Sequence, residues 1–578
     1  MADSNQQNVF FVDDDLIEKL MRGDAPAAAS KPKRPADSDA LGKAIEFATA
    51  GRLDDAIREL EGAIRRGESS ADLFSSLAHL YFEKKSWELA AASYRKVIGR
   101  ESAHRTAHYN LGLCLERLGH LEEAVREFET AATIDAGSWQ PQLGRGFCLL
   151  RLGKPEASLS CFDAALEISA RQEKNINQDR ILTGKAAALQ QTGRMDEAAD
   201  LYKKLLPAHP NSPGLLSNFI AVSMARKDDG RVKELAERLL KVQPQALQAL
   251  QGLAAVAIAR GDYSSAVQYC SQLVKAAPDS YIGWFNLGIA YQKTGRGEQA
   301  ANAYKEAVRI RPEAVEASAN LGAVLQERGD LPAARRAYEH VLAASPDLPG
   351  ALWNLALVAE REEHADEAES LYGRLVATHP DWEDAGFRLG YLQLNKGKYA
   401  EAVGSLETCL KKRADWPEAL LNLGLAYWKF GDLGTAAETY QKVLLLESAN
   451  ADPSRVGLSH VDASNADASH MDALRALTAI AIERNNFAEA HELHRKFAAI
   501  GGRSAELAYN LGLLMQSSGD PAGAIECYRM AVESKPDFAE ALLNLGHALK
   551  ASGQEQEAKL TWSKAVEAAP ELAAKYFP

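Results

Sequence analysis

Asparagine recurs at a fixed interval along this 578-residue sequence. Asn286, Asn320 and Asn354 follow one another at 34-residue steps. A carboxamide carries an acceptor oxygen and two N–H donors, so a row of them can bond both C=O and N–H groups of an extended peptide of any sequence. Asparagine is also a mediocre helix former, because its side chain competes for backbone hydrogen bonds. The full row is Asn110, Asn218, Asn286, Asn320, Asn354, Asn422, Asn510 and Asn544.

A second row, of aromatic or large residues, lies directly before the asparagines. Aromatic rings supply apolar contact area at a low cost in side-chain entropy. The members are Tyr109, Phe285, Trp353, Phe387, Leu421, Tyr509 and Leu543. One step of the asparagine row is Arg388 instead, a residue that can pair with an acidic side chain. The two rows together predict a surface that binds a protein or peptide.

A repeat of 34 residues must position these rows. Pro210, Pro244, Pro278, Pro312, Pro346 and Pro380 keep one register, and Pro536 and Pro570 keep the same spacing. A fixed period of this length predicts a solenoid of stacked helical pairs.

Residues 281–314 contain the clearest copy of the repeat. One apolar stripe at helical spacing is Trp284, Leu287, Gly288 and Tyr291, and a second is Ala300, Tyr304 and Ala307. Gly295 separates the two stripes, and Pro312 closes the copy because proline cannot continue a helix. Each repeat is therefore predicted to be a helical hairpin that buries its apolar sides only by stacking on its neighbours.

This pattern resembles the signature of the tetratricopeptide repeat family. The resemblance implies an all-α, right-handed superhelical solenoid of about fifteen antiparallel helical hairpins over roughly residues 37–572. The predicted organisation is a tail at 1–36, twelve repeats at 37–450 with a short insertion at 173–178, a polar insertion loop at 451–470, and three further repeats within 471–578.

In that family the first helices line the concave face, so the resemblance implies a groove bearing both rows. This arrangement is similar to the asparagine ladder in the superhelical repeats of O-linked N-acetylglucosamine transferases, without their catalytic domain. The alternative is that each asparagine bonds a neighbouring helix and joins repeats together. A carboxylate clamp for a peptide C-terminus is disfavoured, because Ala319, Ala323 and Asp384 replace the Lys and Asn that family members with such clamps use.

Composition argues against several other classes. The net charge of −13 and a pI near 5.6 oppose non-specific binding to nucleic acid. No apolar run reaches membrane-spanning length, and the N-terminus does not read as a secretory signal. The six cysteines form no CxxC pair, which favours a reducing, cytoplasmic compartment. No catalytic motif is present, so we expect no enzymatic activity and no cofactor. The histidines His460, His470, His491 and His494 are read as solvated residues, so no metal is expected.

The N-terminal tail contains an apolar motif at residues 10–21. Its apolar members include Phe10, Phe11, Leu16, Ile17 and Leu20. Residues 22–36 have the composition of a linker, so the motif is predicted to dock, either on this chain or on a partner. The alternative is a disordered end.

The best functional hypothesis is a cytoplasmic scaffold or adaptor that binds an extended peptide or a partner's surface in its groove. The alternative is a non-catalytic subunit that presents substrates to a glycosyltransferase or to a secretion or assembly machine. The sequence identifies neither the partner nor the oligomeric state.

Overall fold

The computed structural model describes residues 39–171, 178–450 and 463–570, and within these ranges every regular element is an α-helix. Consecutive helices pair as antiparallel hairpins, fifteen of them in the described ranges, which confirms the predicted all-α hairpin architecture. The apolar motif at 10–21, the insertion at 173–178 except for Gln178, and residues 451–462 lie outside the described residues.

The chain divides into two compact units at Arg311 and Pro312. The hairpins of the first unit are α1 (Asp39–Thr49) and α2 (Leu53–Arg65), α3 (Ala71–Glu83) and α4 (Trp87–Ile98), α5 (Arg105–Arg117) and α6 (Leu121–Ile134), α7 (Gln140–Arg151) and α8 (Pro155–Ala170), α9 (Asp179–Gln191) and α10 (Met195–Leu205), α11 (Pro213–Ala225) and α12 (Asp229–Val242), α13 (Leu247–Ala259) and α14 (Tyr263–Ala276), and α15 (Tyr281–Lys293) and α16 (Gly297–Ile310).

The second unit contains the other seven described hairpins. They are α17 (Val315–Glu327) and α18 (Leu331–Ala344), α19 (Pro349–Arg361) and α20 (Ala365–Thr378), α21 (Glu383–Asn395) and α22 (Tyr399–Leu410), α23 (Pro417–Phe430) and α24 (Leu433–Asn450), α25 (Ala463–Glu483) and α26 (Phe487–Ala499), α27 (Ala505–Ser517) and α28 (Pro521–Ser534), and α29 (Ala539–Ala551) and α30 (Glu555–Ala568).

Short polar side chains cap the N-termini of several of these helices. The Ser280 hydroxyl accepts a hydrogen bond from the Gly283 N–H, and the Asp330 carboxylate accepts one from the Ala333 N–H. Such caps satisfy N–H groups that have no partner inside the helix. They fix where each helix begins, and hence which residues face the neighbouring hairpins.

A glycine in each of several first helices allows close contact with the second helix. A Cβ on Gly322 would lie 2.7 Å from the Tyr338 ring, and a Cβ on Gly288 would lie 2.5 Å from the Tyr304 ring. The same contact recurs at Gly112, Gly424, Gly512 and Gly546, each against an aromatic ring, and at Gly390 against Leu406. Because real Cβ atoms do not approach so closely, the eighth residue of these repeats is held to glycine by packing.

The buried tyrosines of the second helices have hydroxyl groups that need partners. The hydroxyl of Tyr338 donates to Gln326 Oε1 at 3.0 Å, across a single hairpin. The same bond joins Tyr202 to Gln190, Tyr304 to Gln292 and Tyr528 to Gln516. A buried polar atom without a partner would be costly, so each pair of residues acts as one packing element.

The turn inside each hairpin uses a left-handed residue. Gly295 has φ 74° there, and Glu363 and Lys227 hold the same place with φ 62° and 55°. A non-glycine residue costs about 1–2 kcal/mol in this conformation.

We expect Glu363→Gly to stabilise the second unit by up to about 1 kcal/mol, because relief of strain exceeds the added entropy of the unfolded chain. Urea unfolding measures it, with Glu363→Ala as the control; a destabilised glycine variant would contradict the expectation.

The insertion predicted as a loop over 451–470 differs from the structure in its last eight residues. Helix α25 begins at Ala463, so residues 463–470 extend the first helix of the following hairpin. Residues 463–483 contain no glycine or proline and several alanines, which favours helix. Ser469 is buried, so the extension is packed and not merely helical.

Candidate functional site

The predicted asparagines lie on the first helices, one per hairpin. Counted from the first residue of each 34-residue repeat, Asn320, Asn354 and Asn422 are at position 6. In the second unit all three side chains are half-buried. Residues three and four apart on a helix share a face, so positions 2, 5, 6 and 9 form one side of each first helix. We call this side the open face.

Several carboxamides of the asparagine row have no side-chain partner within the described residues. The side chains of Asn320 and Asn354 make no hydrogen bond within the described residues, although both are half-buried. Asn286 in the first unit and Asn510 in the second are likewise without a side-chain bond there, and Asn510 is exposed. A half-buried carboxamide that has no protein partner can offer its donors and acceptor to a ligand.

Other members of the row are already bonded inside the protein. The Asn110 amide donates to the Tyr94 hydroxyl at 3.2 Å, and the Asn544 amide donates to the Tyr509 hydroxyl at 3.1 Å. Each bond joins two successive hairpins. Asn218 is 2% exposed, so it is closed to a ligand. Asn422 donates to the Glu418 carbonyl of its own helix at 3.0 Å.

Neighbouring side chains explain this division. The Tyr94 hydroxyl pairs with Asn110 because position 12 of its own hairpin is Phe82, which offers the hydroxyl no acceptor. In the hairpin of α17 and α18 that place is Gln326, which already accepts from the hydroxyl of Tyr338. Asn354 in the next hairpin is therefore left without that partner. Asn110 and Asn544 thus join neighbouring repeats, as the alternative interpretation of the row expects. Binding of a ligand stays a hypothesis for Asn320 and Asn354.

The aromatic row is held in place by ring contacts. Trp353 stacks on Trp382 with ring centroids 5.8 Å apart and meets Tyr372 edge-on at 5.5 Å. The ring centroids of Phe387 and Trp416 lie 4.6 Å apart. These contacts fix the rotamers of half-buried rings, which lowers the entropy cost of binding. Elsewhere Phe285 stacks on Tyr281, Tyr509 lies against Tyr528 and Phe538, and Tyr109 is buried against Phe128.

Arg388 is not a free cation. Its guanidinium donates to Glu360 Oε2 at 2.9 Å, and Glu360 is at position 12 of the preceding hairpin. Four other hairpins carry glutamine at that position, as Gln190, Gln292, Gln326 and Gln516, and the hairpin of α19 carries a charged residue instead. The Arg388 side chain is 44% exposed, and such a pair is worth about 0–1 kcal/mol. Its structural role is to join two hairpins, and a ligand carboxylate would have to compete with Glu360.

The open face also contains residues that the two rows predicted from sequence do not include. Position 9 carries the half-buried Leu357 and Leu425 and the exposed Tyr391, whose side chain is 44% exposed. In another hairpin Leu513 holds the same place and is 40% exposed. The available signal was their spacing, three residues after the asparagine and four after the aromatic residue. They extend the apolar part of the surface.

Cysteine thiols and the His494 imidazole are the side chains whose chemistry could be reactive, and they are buried in the described part of the chain. Burial raises the pKa of the Cys114, Cys270 and Cys527 thiols to about 12, so these thiols stay protonated. Burial lowers the pKa of His494, which lies against Phe497. In the part of the chain that the structure describes, no group of three or more His, Cys, Asp or Glu side chains is arranged to hold a metal ion.

A membrane-spanning helix needs both length and apolarity. Over the described residues, no helix combines the two to the degree that crossing a membrane requires.

Family comparison agrees with the hairpin architecture. A tetratricopeptide repeat model matches residues 41–103, 76–138, 285–349, 320–383, 387–453 and 509–573, which together cover more than half of the chain. A second tetratricopeptide repeat model matches 140–211, and the middle TPR-like domain of cilia and flagella-associated protein 70 matches 180–311. The chain therefore belongs to the tetratricopeptide repeat family. Its class is that of the protein-interaction scaffolds.

Solved structures with the same type of fold are distant. The chain is 19% identical to YrrB, described as a TPR protein with an unusual peptide-binding site, with 32% of this chain and 96% of that chain covered and a TM-score of 0.31. A MamA structure is 23% identical, with 28% and 95% covered and a TM-score of 0.27. Cut9–Hcn1 of the APC/C is 14% identical, with 84% and 98% covered and a TM-score of 0.30. No curated protein sequence matches significantly.

Proposed function

We propose that this scaffold binds an extended segment of a partner protein across the open face of α17, α19, α21 and α23 in the second unit. The observation that carries the proposal is the pair of half-buried, unbonded carboxamides of Asn320 and Asn354 beside the fixed ring of Trp353. Backbone groups of the ligand would satisfy the carboxamides, and its side chains would contact the rings.

The spacing of the hairpins suits an extended chain. Packed helices lie about 8–10 Å apart, and an extended strand advances about 3.3 Å per residue. About three ligand residues therefore pass each hairpin, which lets one backbone group in three meet a carboxamide. The carboxamides would bond the ligand backbone and not its side chains, so they do not select a ligand sequence. That selection comes from apolar contacts with Trp353, Leu357 and Tyr391.

Site-specific photo-cross-linking tests this function. A photoreactive phenylalanine at Tyr391 is expected to capture one partner, and mass spectrometry should map the link to an extended segment of it. The matched control places the same residue at Leu560, which is 60% exposed on the last helix, α30, and away from the open face. Equal capture of that partner at both places would contradict a groove on the second unit.

A further inference from the structure

Leu89 is a large apolar residue at a position where no other repeat carries one. It is at position 19, on the second helix α4, and its side chain is 51% exposed. At the same position the other fourteen repeats carry Asp, Glu, Arg, Gln, Ser, Thr, Ala or Gly. Leu89 is thus an exception at this position of the second helices, and what it borders decides whether its exposure matters.

Leu89 borders a hollow of about 290 Å³ on the first two hairpins. The apolar lining comes from Ile64 of α2, Leu77 of α3 and Leu89 of α4. Tyr81 also lines the hollow, and its hydroxyl donates a hydrogen bond to the Glu61 carboxylate. A hollow of this size holds one or two large apolar side chains.

The rim of the hollow is basic. Arg65 and Lys96 both line it, both are exposed, and neither has a carboxylate partner within the described residues. Lys96 has its ammonium 5.2 Å from the centroid of the Phe74 ring. Two cations, Arg65 and Lys96, and one carboxylate, Glu61, line the hollow, so its lining carries a net positive charge. The chemistry that fits is an acidic segment with apolar side chains.

We propose that residues 10–21 of this same chain dock over the hollow and insert one or two of their apolar side chains into it. This segment reads Phe-Phe-Val-Asp-Asp-Asp-Leu-Ile-Glu-Lys-Leu-Met, with three consecutive acidic residues between two apolar groups. Leu16, Ile17 and Leu20 are spaced for one face of a helix. Asp13, Asp14 and Asp15 pair with Arg65 and Lys96, and the apolar side chains cover Leu89.

The connection between segment and hollow is short. Residues 22–38 join the segment to Asp39, where α1 begins. The linker composition of residues 22–36 predicts a root-mean-square span of about 23 Å for a connection of that length. Helices α1 and α2 form an antiparallel hairpin, so the end of α2 that carries Arg65 lies near Asp39, where the tether joins the fold. Tethering gives the segment a high effective concentration at this hollow.

A larger hollow in the first unit is a poorer fit. It measures about 500 Å³ and is lined by Trp284, Leu287 and Tyr291, with Lys305 and Glu306 together at the rim. The charges of Lys305 and Glu306 cancel. The lining residues belong to α14, α15 and α16, which follow Asp39 by more than 200 residues. The basic rim and the short tether both select the hollow beside Leu89.

Zero-length carboxyl–amine cross-linking of the full chain tests the proposal. A mixture of ¹⁴N- and ¹⁵N-labelled protein is treated with a carbodiimide, and links from Asp13, Asp14 or Asp15 to Lys96 are counted within and between chains. We expect within-chain links in the natural protein and about tenfold fewer in Leu89→Glu, since losing one buried leucine contact is worth at least one factor of ten.

The variants separate docking from misfolding. Leu89→Glu should fold, because Glu123 and Glu197 hold the same position in other repeats. Leu560→Glu adds the same charge at an exposed leucine of α30 and should leave the links to Lys96 unchanged. Absence of these links in the natural protein, links only between chains, or equal yields with and without Leu89 would each overturn the proposal.

Discussion

Replacing Tyr338 by alanine is expected to lower the free energy of unfolding of the second unit by about 3–5 kcal/mol. The Tyr338 side chain is fully buried in the hairpin of α17 and α18. Its ring fills the space above Gly322, and its hydroxyl donates to Gln326. Alanine removes the ring contacts and leaves both a cavity and a glutamine oxygen without its donor.

The control variant is Tyr338→Phe, which keeps the ring and removes only the hydroxyl. The expected loss is about 0.5–1.5 kcal/mol, the net value of one hydrogen bond. Chemical unfolding followed by helix content measures both variants. Equal losses for the alanine and phenylalanine variants would contradict the expectation, because they would mean that the hydroxyl and not the packed ring holds the hairpin together.

The fold was accessible from the sequence because each hairpin repeats the same local signals. Gly322 and Tyr338 are a packing pair that recurs as Gly288 and Tyr304 and in other hairpins, so one good copy reveals the rest. The start of α25 was missed for the same reason. A register taken from the repeats placed the helix at residue 471, whereas the alanine-rich segment before it is helical from Ala463.

The division of the asparagine row was not accessible from position alone. Asn544 is bonded because the preceding hairpin presents Tyr509, a ring with a hydroxyl. Asn354 follows a hairpin with Ala319 at that place, where no hydroxyl exists. The state of each carboxamide therefore depends on pairs of residues in successive hairpins. Such pairs can be read only after the stacking of the hairpins is known.

The second large effect concerns binding. Replacing Asn320 and Asn354 together by alanine is expected to weaken binding of the partner segment by about 1–3 kcal/mol, since each lost bond is worth about 0.5–1.5 kcal/mol. The melting temperature should not fall, because neither carboxamide is bonded within the described residues and alanine is the better helix former. Asn544→Ala is the matched control; it should lower stability, by loss of the bond to Tyr509, and leave affinity unchanged.

The most direct test of binding at the open face is calorimetric titration of the full chain with the partner segment captured at Tyr391, paired with a thermal melt. We predict that the Asn320→Ala and Asn354→Ala double variant binds about five- to 150-fold more weakly and melts no lower than the natural protein. A double variant that melts at a lower temperature and binds with unchanged affinity would contradict this prediction, and would make these two asparagines links between hairpins.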